Sequence, residues 1–246
     1  MSGEPQRPGT AARTPSRCRS ESARWLAGAV GLAGASYAAV AAVNWCRYGR
    51  AAHLAEEEGG DALLDRFLPR YEVVERHQAR VAAPAPITLA AACELDLSRS
   101  AVIRAIFKSR ERILGARPEP ARHPPGLAAW VKALGWGVLA EVPGREIVFG
   151  AVTQPWRADV VFRALPADEF AAYSEPGWVK IAWTLRADPL GATASIARTE
   201  TRAATTDPAA RAKFRRYWSL FSPGIGLIRR IALRLVKAEA ERRAVV

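Results

Sequence analysis

Residue types that carry out chemistry are sparse in this sequence. His53, His77 and His123 are far apart, form no HExxH motif and include no i, i+4 pair, so we expect no metal site. Cys93 precedes Glu94 but has no histidine nearby, and a cysteine in an Ala-rich helix is usually a small core residue. The chain contains no GxSxG, Walker or Rossmann motif. The sequence therefore predicts no catalytic residue, no metal ion and no cofactor.

One carboxylate, Glu200, lies between Arg198 and Arg202 on the same face of a predicted strand. Guanidinium groups on both sides favour an ion-pair ladder over proton transfer by this carboxylate. An enzyme would need a titratable residue that faces inward, and Glu141 and Glu200 are the candidates for that role.

Aromatic and hydroxyl residues are better candidates for ligand binding. Alternation places Trp183 on the inward face of one strand, and a helical stripe places Trp218 on the inward face of the last helix. If these two elements enclose a cavity, its walls are apolar with a few hydroxyl groups, as a lipid or polyketide-like ligand requires. A filled core made of the same side chains is the alternative. The predicted ligand-binding residues are Phe149, Trp183, Thr199, Thr201 and Trp218.

The composition is that of a folded protein with a basic surface. The chain has 246 residues, of which 50% are hydrophobic and 24% charged, and these fractions exclude a wholly disordered protein. The formal net charge of +12 permits attraction to nucleic acid or anionic lipid. There is no long run of basic residues and no recognisable nucleic-acid module, so we expect no nucleic-acid partner.

The N-terminal region predicts a membrane segment. Residues 1–23 are basic and lack apolar periodicity, which predicts a disordered tail. Residues 24–48 contain an uncharged stretch from Trp25 to Trp45, long enough to cross a bilayer as one transmembrane helix. The alternative is a cleaved signal peptide and a secreted protein, because Ala39-Val40-Ala41 has the form of a signal-peptidase site.

The flanks of this segment predict its orientation. More arginines precede the uncharged stretch than follow it, so the N-terminus is expected in the cytoplasm and the rest of the chain on the extracytoplasmic side. Residues 49–70 are expected to form a linker or a short helix. A face of small residues could pair two such transmembrane helices into a homodimer. It consists of Ala27, Gly31, Ala35 and Ala39.

Periodicity and turn residues predict one domain over residues 71–246. Asp96 or Ser98 is expected to cap the second helix of this domain, and Pro143-Gly144 predicts a type II turn in a hairpin. The strands are expected at 72–81, 135–142, 145–153, 159–165, 179–186 and 192–205. The short helices are expected at 87–97, 98–114, 127–134 and 167–174. The inner face of the second helix would carry Val102, Ile103, Ile106 and Ile113.

The last element is predicted to be long and helical. Thr206 or Asp207 before Pro208 gives a helix start, and Ser222-Pro223 repeats that signal. Two abutting helices or one kinked helix are therefore expected to end near residue 243. Apolar residues recur every three or four positions and form a stripe that would pack against a sheet. The stripe consists of Phe214, Tyr217, Trp218, Phe221, Ile225, Ile228, Ala232, Leu235 and Ala238.

This order of elements resembles the helix-grip fold of the START-like or SRPBCC superfamily. The stretch 195–202, followed by Asp207-Pro208 and Tyr217-Trp218, is similar to uncharacterised bacterial members of that superfamily. The resemblance covers roughly residues 72–243 and is one of organisation. It implies an α+β domain whose curved antiparallel sheet wraps a long C-terminal helix, with a cavity between them. It brings no catalytic signature, and the N-terminal membrane segment departs from the cytosolic members.

These patterns predict a membrane-anchored domain that binds or carries a hydrophobic small molecule. A cyclase- or aromatase-like enzyme using the same cavity is one alternative. An anchored structural or interaction protein with a filled core is the other.

Overall fold

The computed structural model describes residues 17–48, 53–54, 60–116 and 124–245. Residues 1–16 of the predicted tail, residues 49–52 and 55–59 of the predicted linker, and His123 lie outside the described residues. The chain divides into two compact units, one up to Val40 and one from Ala41 to Val246.

The described residues form seven α-helices, eight β-strands and one 3-10 turn at Leu97–Arg99. The helices are α1 (Arg17–Arg47), α2 (Ala62–Asp65), α3 (Ala85–Cys93), α4 (Ala101–Leu114), α5 (Leu127–Ala133), α6 (Ala167–Ala172) and α7 (Pro208–Ala244). The strands are β1 (His53–Leu54), β2 (Arg70–Tyr71), β3 (Val73–Val81), β4 (Gly137–Val142), β5 (Glu146–Thr153), β6 (Phe162–Arg163), β7 (Val179–Pro189) and β8 (Ser195–Thr205).

The expected transmembrane helix at 24–48 is not supported. In the part of the chain that the structure describes, no helix has the length and apolar character needed to cross a membrane. The orientation and the homodimer that were predicted from this segment stay predictions.

The main sheet is antiparallel, with the strand order β3-β8-β7-β5-β4 and with β6 paired to the end of β5. Alternation along the strands gives the sheet two faces. The inner face, which includes Phe149 and Trp183, packs against α3, α5 and α7. The outer face, which includes Ala182, packs against Leu64 of α2 and Phe170 of α6. Helices therefore pack on both faces of the sheet.

The hairpin of β4 and β5 forms where its turn residues predict it. Gly144 has a φ of 70°, the left-handed conformation that a type II turn requires after Pro143. The pairing of β4 with β5 shifts register between Val138 and Ala140, which leaves Leu139 as a bulge. A Cβ at Gly150 would lie 2.4 Å from Leu139 Cδ1, so the bulged side chain occupies space that only a glycine at position 150 leaves open.

The C-terminal helix α7 is one continuous helix that passes through Pro223. Asp207 is its N-cap and accepts hydrogen bonds from Ala209 N at 2.7 Å and Ala210 N at 3.0 Å. Pro208 occupies the first turn, where a missing N–H costs nothing. The sequence signal at Ser222-Pro223 therefore marks a position inside the helix and not a second start.

Two sequence predictions about local elements were wrong. The cap of α4 is Ser100, whose Oγ accepts a hydrogen bond from Ile103 N, while Asp96 caps the preceding 3-10 turn. Ile103 is the buried residue of α4, and Val102 and Ile113 are 48% and 63% exposed. The 3-10 turn takes up Leu97–Arg99, so α4 begins only at Ala101 and Ser100 becomes its cap.

One expected strand is shorter than predicted, and one helix lies before the predicted start of the domain. The strand expected at 159–165 is reduced to β6, because only Phe162 and Arg163 pair with β5. The helix α2 lies in the segment predicted as a linker or short helix, with Leu64 fully buried. The domain is thus α+β, with an antiparallel sheet and a long C-terminal helix, which fits a helix-grip arrangement.

Candidate functional site

A cavity of about 280 Å³ lies between the inner face of the sheet and α7. Helices α3, α4 and α5 supply the remaining walls. The aromatic lining residues are Phe107, Trp130, Trp136 and Trp183. The aliphatic ones are Ala92, Leu95, Leu97, Leu127, Val131, Leu134, Leu185, Ala197, Ile225, Ile228, Ala232, Leu233 and Val236. The lining residues with polar side chains are Thr88, Arg186, Arg198, Thr199 and Arg229.

Most of the polar lining residues are already engaged elsewhere. The Thr88 hydroxyl lies 2.8 Å from Ser195 Oγ, and either can donate. Arg186 Nε lies 2.7 Å from Asp188 Oδ1, and Arg198 Nε lies 2.9 Å from Asp188 Oδ2. Thr199 and Arg229 therefore supply the polar character of the cavity.

Stacked rings form one wall of the cavity. Phe149 stacks on Trp183 with ring centroids 4.8 Å apart and an interplanar angle of 24°. Trp136 meets Trp183 edge to face at 6.2 Å. Ring pairs of this kind have few alternative rotamers, so the wall is rigid and presents a flat apolar surface.

Arg229 carries the positive charge of the cavity. Its Nη1 donates a hydrogen bond of 2.9 Å to Thr199 Oγ1, and its Cζ lies 5.8 Å from the centroid of the Trp183 ring. Its Nε is shielded from solvent and has no hydrogen-bond partner. Burial lowers the pKa of Arg229 to about 10, although the carboxylate of Glu75 opposes this change. A guanidinium with this pKa is still charged at neutral pH.

A polar cluster on β3 lies beside Thr199. The sheet register places His77 opposite Thr199 and Glu75 opposite Thr201 on the inner face. Tyr48 donates a hydrogen bond of 2.6 Å to Glu75 Oε1, and His77 Nε2 lies 3.5 Å from Glu75 Oε2. Burial raises the pKa of Glu75, but the contact with His77 and the hydrogen bond from Tyr48 outweigh burial and hold that pKa below its ordinary value. Glu75 is therefore an anion that accepts a hydrogen bond from Tyr48 and is attracted by the charge of Arg229 at longer range.

The structure brings together some of the predicted ligand-binding residues. Trp183 and Thr199 line the cavity, and Phe149 lies directly behind Trp183. Thr201 and Trp218 are buried but do not line it. Trp218 packs edge to face against Tyr48 at 6.1 Å. That these five residues bind a ligand stays a prediction.

The two carboxylates proposed as inward-facing catalytic candidates do not face the cavity. Glu200 accepts hydrogen bonds from Arg76 Nε at 3.0 Å and Arg202 Nε at 2.7 Å on the outer face. Glu141 is exposed on β4. Because side chains alternate along a strand, Glu200 must point away from Thr199, and it takes part in an ion-pair network.

Sequence reasoning missed the residues that give the cavity its charge. Arg229 lies on the same helical face as Ile225, four positions before it, and Ala232, three positions after it, and this spacing was the available signal. Glu75 and His77 alternate with outward residues on β3, which places them inward. Among the described residues, no group of three or more His, Cys, Asp or Glu side chains is arranged to hold a metal ion.

Comparison with known proteins gives only distant similarities. No protein-family model matches the chain, and no curated protein matches it. Three of the solved structures with some similarity are aromatase/cyclase proteins. The di-domain ARO/CYC StfQ from the steffimycin biosynthetic pathway has 16% identity and a TM-score of 0.31, over 79% of this chain and 64% of that chain.

Two further structures show the same level of similarity. The di-domain ARO/CYC BexL from the BE-7585A biosynthetic pathway has 16% identity and a TM-score of 0.25, over 69% of this chain and 46% of that chain. The Zhui aromatase/cyclase from Streptomyces sp. R1128 has 18% identity and a TM-score of 0.21, over 70% of this chain and 94% of that chain. The chain thus spans about half the length of BexL. At these scores the similarity supports no conclusion about the activity of this chain.

Proposed function

We propose that this domain binds and carries a hydrophobic small molecule in the cavity between the sheet and α7. The observation that supports the proposal is the cavity itself, about 280 Å³ of space with an almost entirely apolar lining. Protein interiors are normally packed to the density of organic crystals, and an empty apolar cavity lowers stability. A bound apolar ligand would restore those contacts.

The filled-core alternative fits this geometry less well. In a filled core, larger side chains would occupy the space between Ala232 on α7 and Trp183 on the sheet. Instead Ala232 is only half-buried, and both residues line the cavity. This arrangement favours ligand binding over a purely structural role.

The cyclase-like alternative needs a group in the cavity that can transfer a proton. The nearest titratable pair is Glu75 and His77, which lies beside Thr199 on β3 but does not line the cavity. The apolar lining therefore favours binding over catalysis. Location at a membrane remains a prediction from the sequence.

The proposal is tested by filling the cavity. Ala232→Phe on α7 places a ring in the cavity, whereas Ala238→Phe places the same ring at an exposed position of the same helix. The probe is N-phenyl-1-naphthylamine, a neutral fluorophore. We expect the wild type and Ala238→Phe to bind it equally, and Ala232→Phe to bind it at least about tenfold more weakly.

Thermal melting distinguishes the alternatives. An open cavity accommodates the new ring at position 232, so the melting temperature of Ala232→Phe should stay close to that of the wild type. A filled core would be overpacked and destabilised by about 1–3 kcal/mol. A large fall in melting temperature, together with no probe binding by the wild type, would overturn the proposal.

A further inference from the structure

Arg202 on the outer face of the sheet and Arg229 on the inner face have very different surroundings. Arg202 is fully buried on the outer face, and its guanidinium meets Asp65, Glu200 at 2.7 Å and the Leu68 carbonyl at 3.1 Å. This chain thus satisfies a buried guanidinium with two carboxylates and a backbone carbonyl. That is the arrangement expected for a buried cation.

Arg229 on the inner face has no such set of partners. Its one hydrogen-bond partner is the neutral Thr199 hydroxyl, and its Nε is shielded and unpaired. Among the described residues, no carboxylate lies within ion-pair distance of its nitrogens. Glu75, the carboxylate that acts on it at longer range, is engaged by Tyr48 and His77.

A half-buried guanidinium beside an apolar cavity, with one neutral hydrogen-bond partner, is stabilised when a ligand anion completes its surroundings. Removing a charge from water costs several kcal/mol, which a paired anion offsets. Arg229 is one of the cavity's lining residues, and it lies over the Trp183 ring. An anion bound there would have its apolar part against Trp183 and the aliphatic walls.

We propose, on the basis of the binding function above, that the ligand is a hydrophobic acid whose carboxylate pairs with Arg229. The apolar part fills the cavity, and the carboxylate accepts hydrogen bonds from the guanidinium N–H groups that the protein leaves unpaired. Thr199 holds Nη1 and so fixes the orientation of the guanidinium. The domain thereby selects amphiphilic acids over neutral molecules of the same shape.

The test compares two probes of equal size, 2-naphthoate and 2-naphthalenemethanol, by isothermal titration calorimetry on the full chain at neutral pH. We expect the wild type to bind the carboxylate about tenfold or more tightly than the alcohol, because charge-assisted hydrogen bonds are the stronger ones. Arg229→Gln should lose this preference but keep its affinity for the alcohol. Arg230→Gln, at the exposed next position of α7, should behave as the wild type.

Each outcome separates this proposal from the binding function. If the wild type binds both probes equally, or if Arg229→Gln keeps the preference for the carboxylate, the pairing with Arg229 is wrong and the binding function stands. If the wild type binds neither probe nor N-phenyl-1-naphthylamine, the binding function itself falls. If Arg229→Gln does not fold, the affinities of the wild type for the two probes still show whether the cavity prefers a carboxylate.

Discussion

Glu146 and Asp61 form a buried carboxyl pair on the outer face of the sheet, with 5% and 4% of their surface exposed. Burial and the neighbouring Asp61 raise the pKa of Glu146 to about 8. Burial opposes ionisation of Asp61, but the hydrogen bond from Glu146 and the charge of Arg186 help to hold its pKa below the ordinary value. At neutral pH Glu146 is therefore protonated and Asp61 ionised.

This pair makes stability depend on pH. The folded state keeps the Glu146 proton up to about pH 8, whereas the unfolded chain releases it near the ordinary value of 4.5. The contribution to stability is thus complete below the ordinary pKa and is lost as the pH rises towards 8. We expect the free energy of unfolding to fall between about pH 5 and pH 8, by up to about 1.4 kcal/mol per pH unit.

Glu146→Gln should flatten this dependence, because the amide keeps a donor for Asp61 and does not titrate. Urea unfolding at a series of pH values measures the effect. Glu141→Gln, an exposed position on the neighbouring strand, is the control and should keep the wild-type slope. Equal slopes for Glu146→Gln and the wild type would contradict the assignment of the proton to Glu146.

The thiol of Cys93 gives a second prediction for a single residue. Burial, with smaller effects of Glu141 and Glu94, raises its pKa to about 11. Cys46 is exposed. At pH 8, iodoacetamide should therefore modify Cys46 well before Cys93, as peptide mass mapping over time would show. Faster modification of Cys93 would mean that α3 opens readily.

At the scale of elements, α2 is an integral part of the folded domain and not a linker. Leu64 is fully buried against the outer face, and Arg202 Nη1 donates a hydrogen bond of 3.1 Å to the Leu68 carbonyl just after α2. Asp61 caps α2 through hydrogen bonds from Leu63 N and Leu64 N. These contacts attach α2 to the sheet.

Leu64→Ala should therefore lower the free energy of unfolding by about 2–5 kcal/mol, the usual cost of a cavity in a core. Chemical denaturation monitored by circular dichroism would measure it. Ala62→Ser, at an exposed position of the same helix, is the control and should change stability by less than about 0.5 kcal/mol. A comparably small change for Leu64→Ala would indicate that α2 detaches freely.

The elements that the sequence predicted correctly are those fixed by interactions between residues close together in the chain. The turn at Gly144 and the start of α7 at Asp207 follow from local chemistry, and the structure confirmed both. The burial of Leu64 and the position of Arg229 depend on contacts with distant strands, which periodicity alone does not reveal. The cavity of the candidate site was foreseen as an alternative to a filled core, but its charged residue was not.

At the scale of the whole molecule, the compact unit from Ala41 to Val246 starts before the predicted domain boundary at 71. Tyr48 is 5% exposed, donates a hydrogen bond to Glu75 and packs against Trp218. Asn44 Nδ2 donates a hydrogen bond of 2.6 Å to Ser222 Oγ. Asn44 and Tyr48 thus contribute to the packing around α7.

Two truncations test where the folded unit begins. The chain 41–246 should fold, whereas the chain 49–246 should lose about 3–5 kcal/mol of stability, the usual cost of removing a buried aromatic side chain. Tyr48→Ala in the full chain should reproduce most of that loss, and Tyr48→Phe only the part due to the hydroxyl. Equal denaturation midpoints for the two truncated chains would show that Tyr48 contributes nothing.

The bulge at Leu139 lies on β4, the last strand in the order of the main sheet. A regular edge strand presents an unbroken row of N–H and C=O groups to which a strand of another molecule can add, and this is how many proteins aggregate. The extra residue breaks the spacing of that row, and Pro143 ends the strand. At the opposite edge, Lys237 of α7 donates a hydrogen bond of 3.0 Å to the Arg80 carbonyl of β3. We therefore expect the addition of a further strand to be hindered at both edges of the sheet.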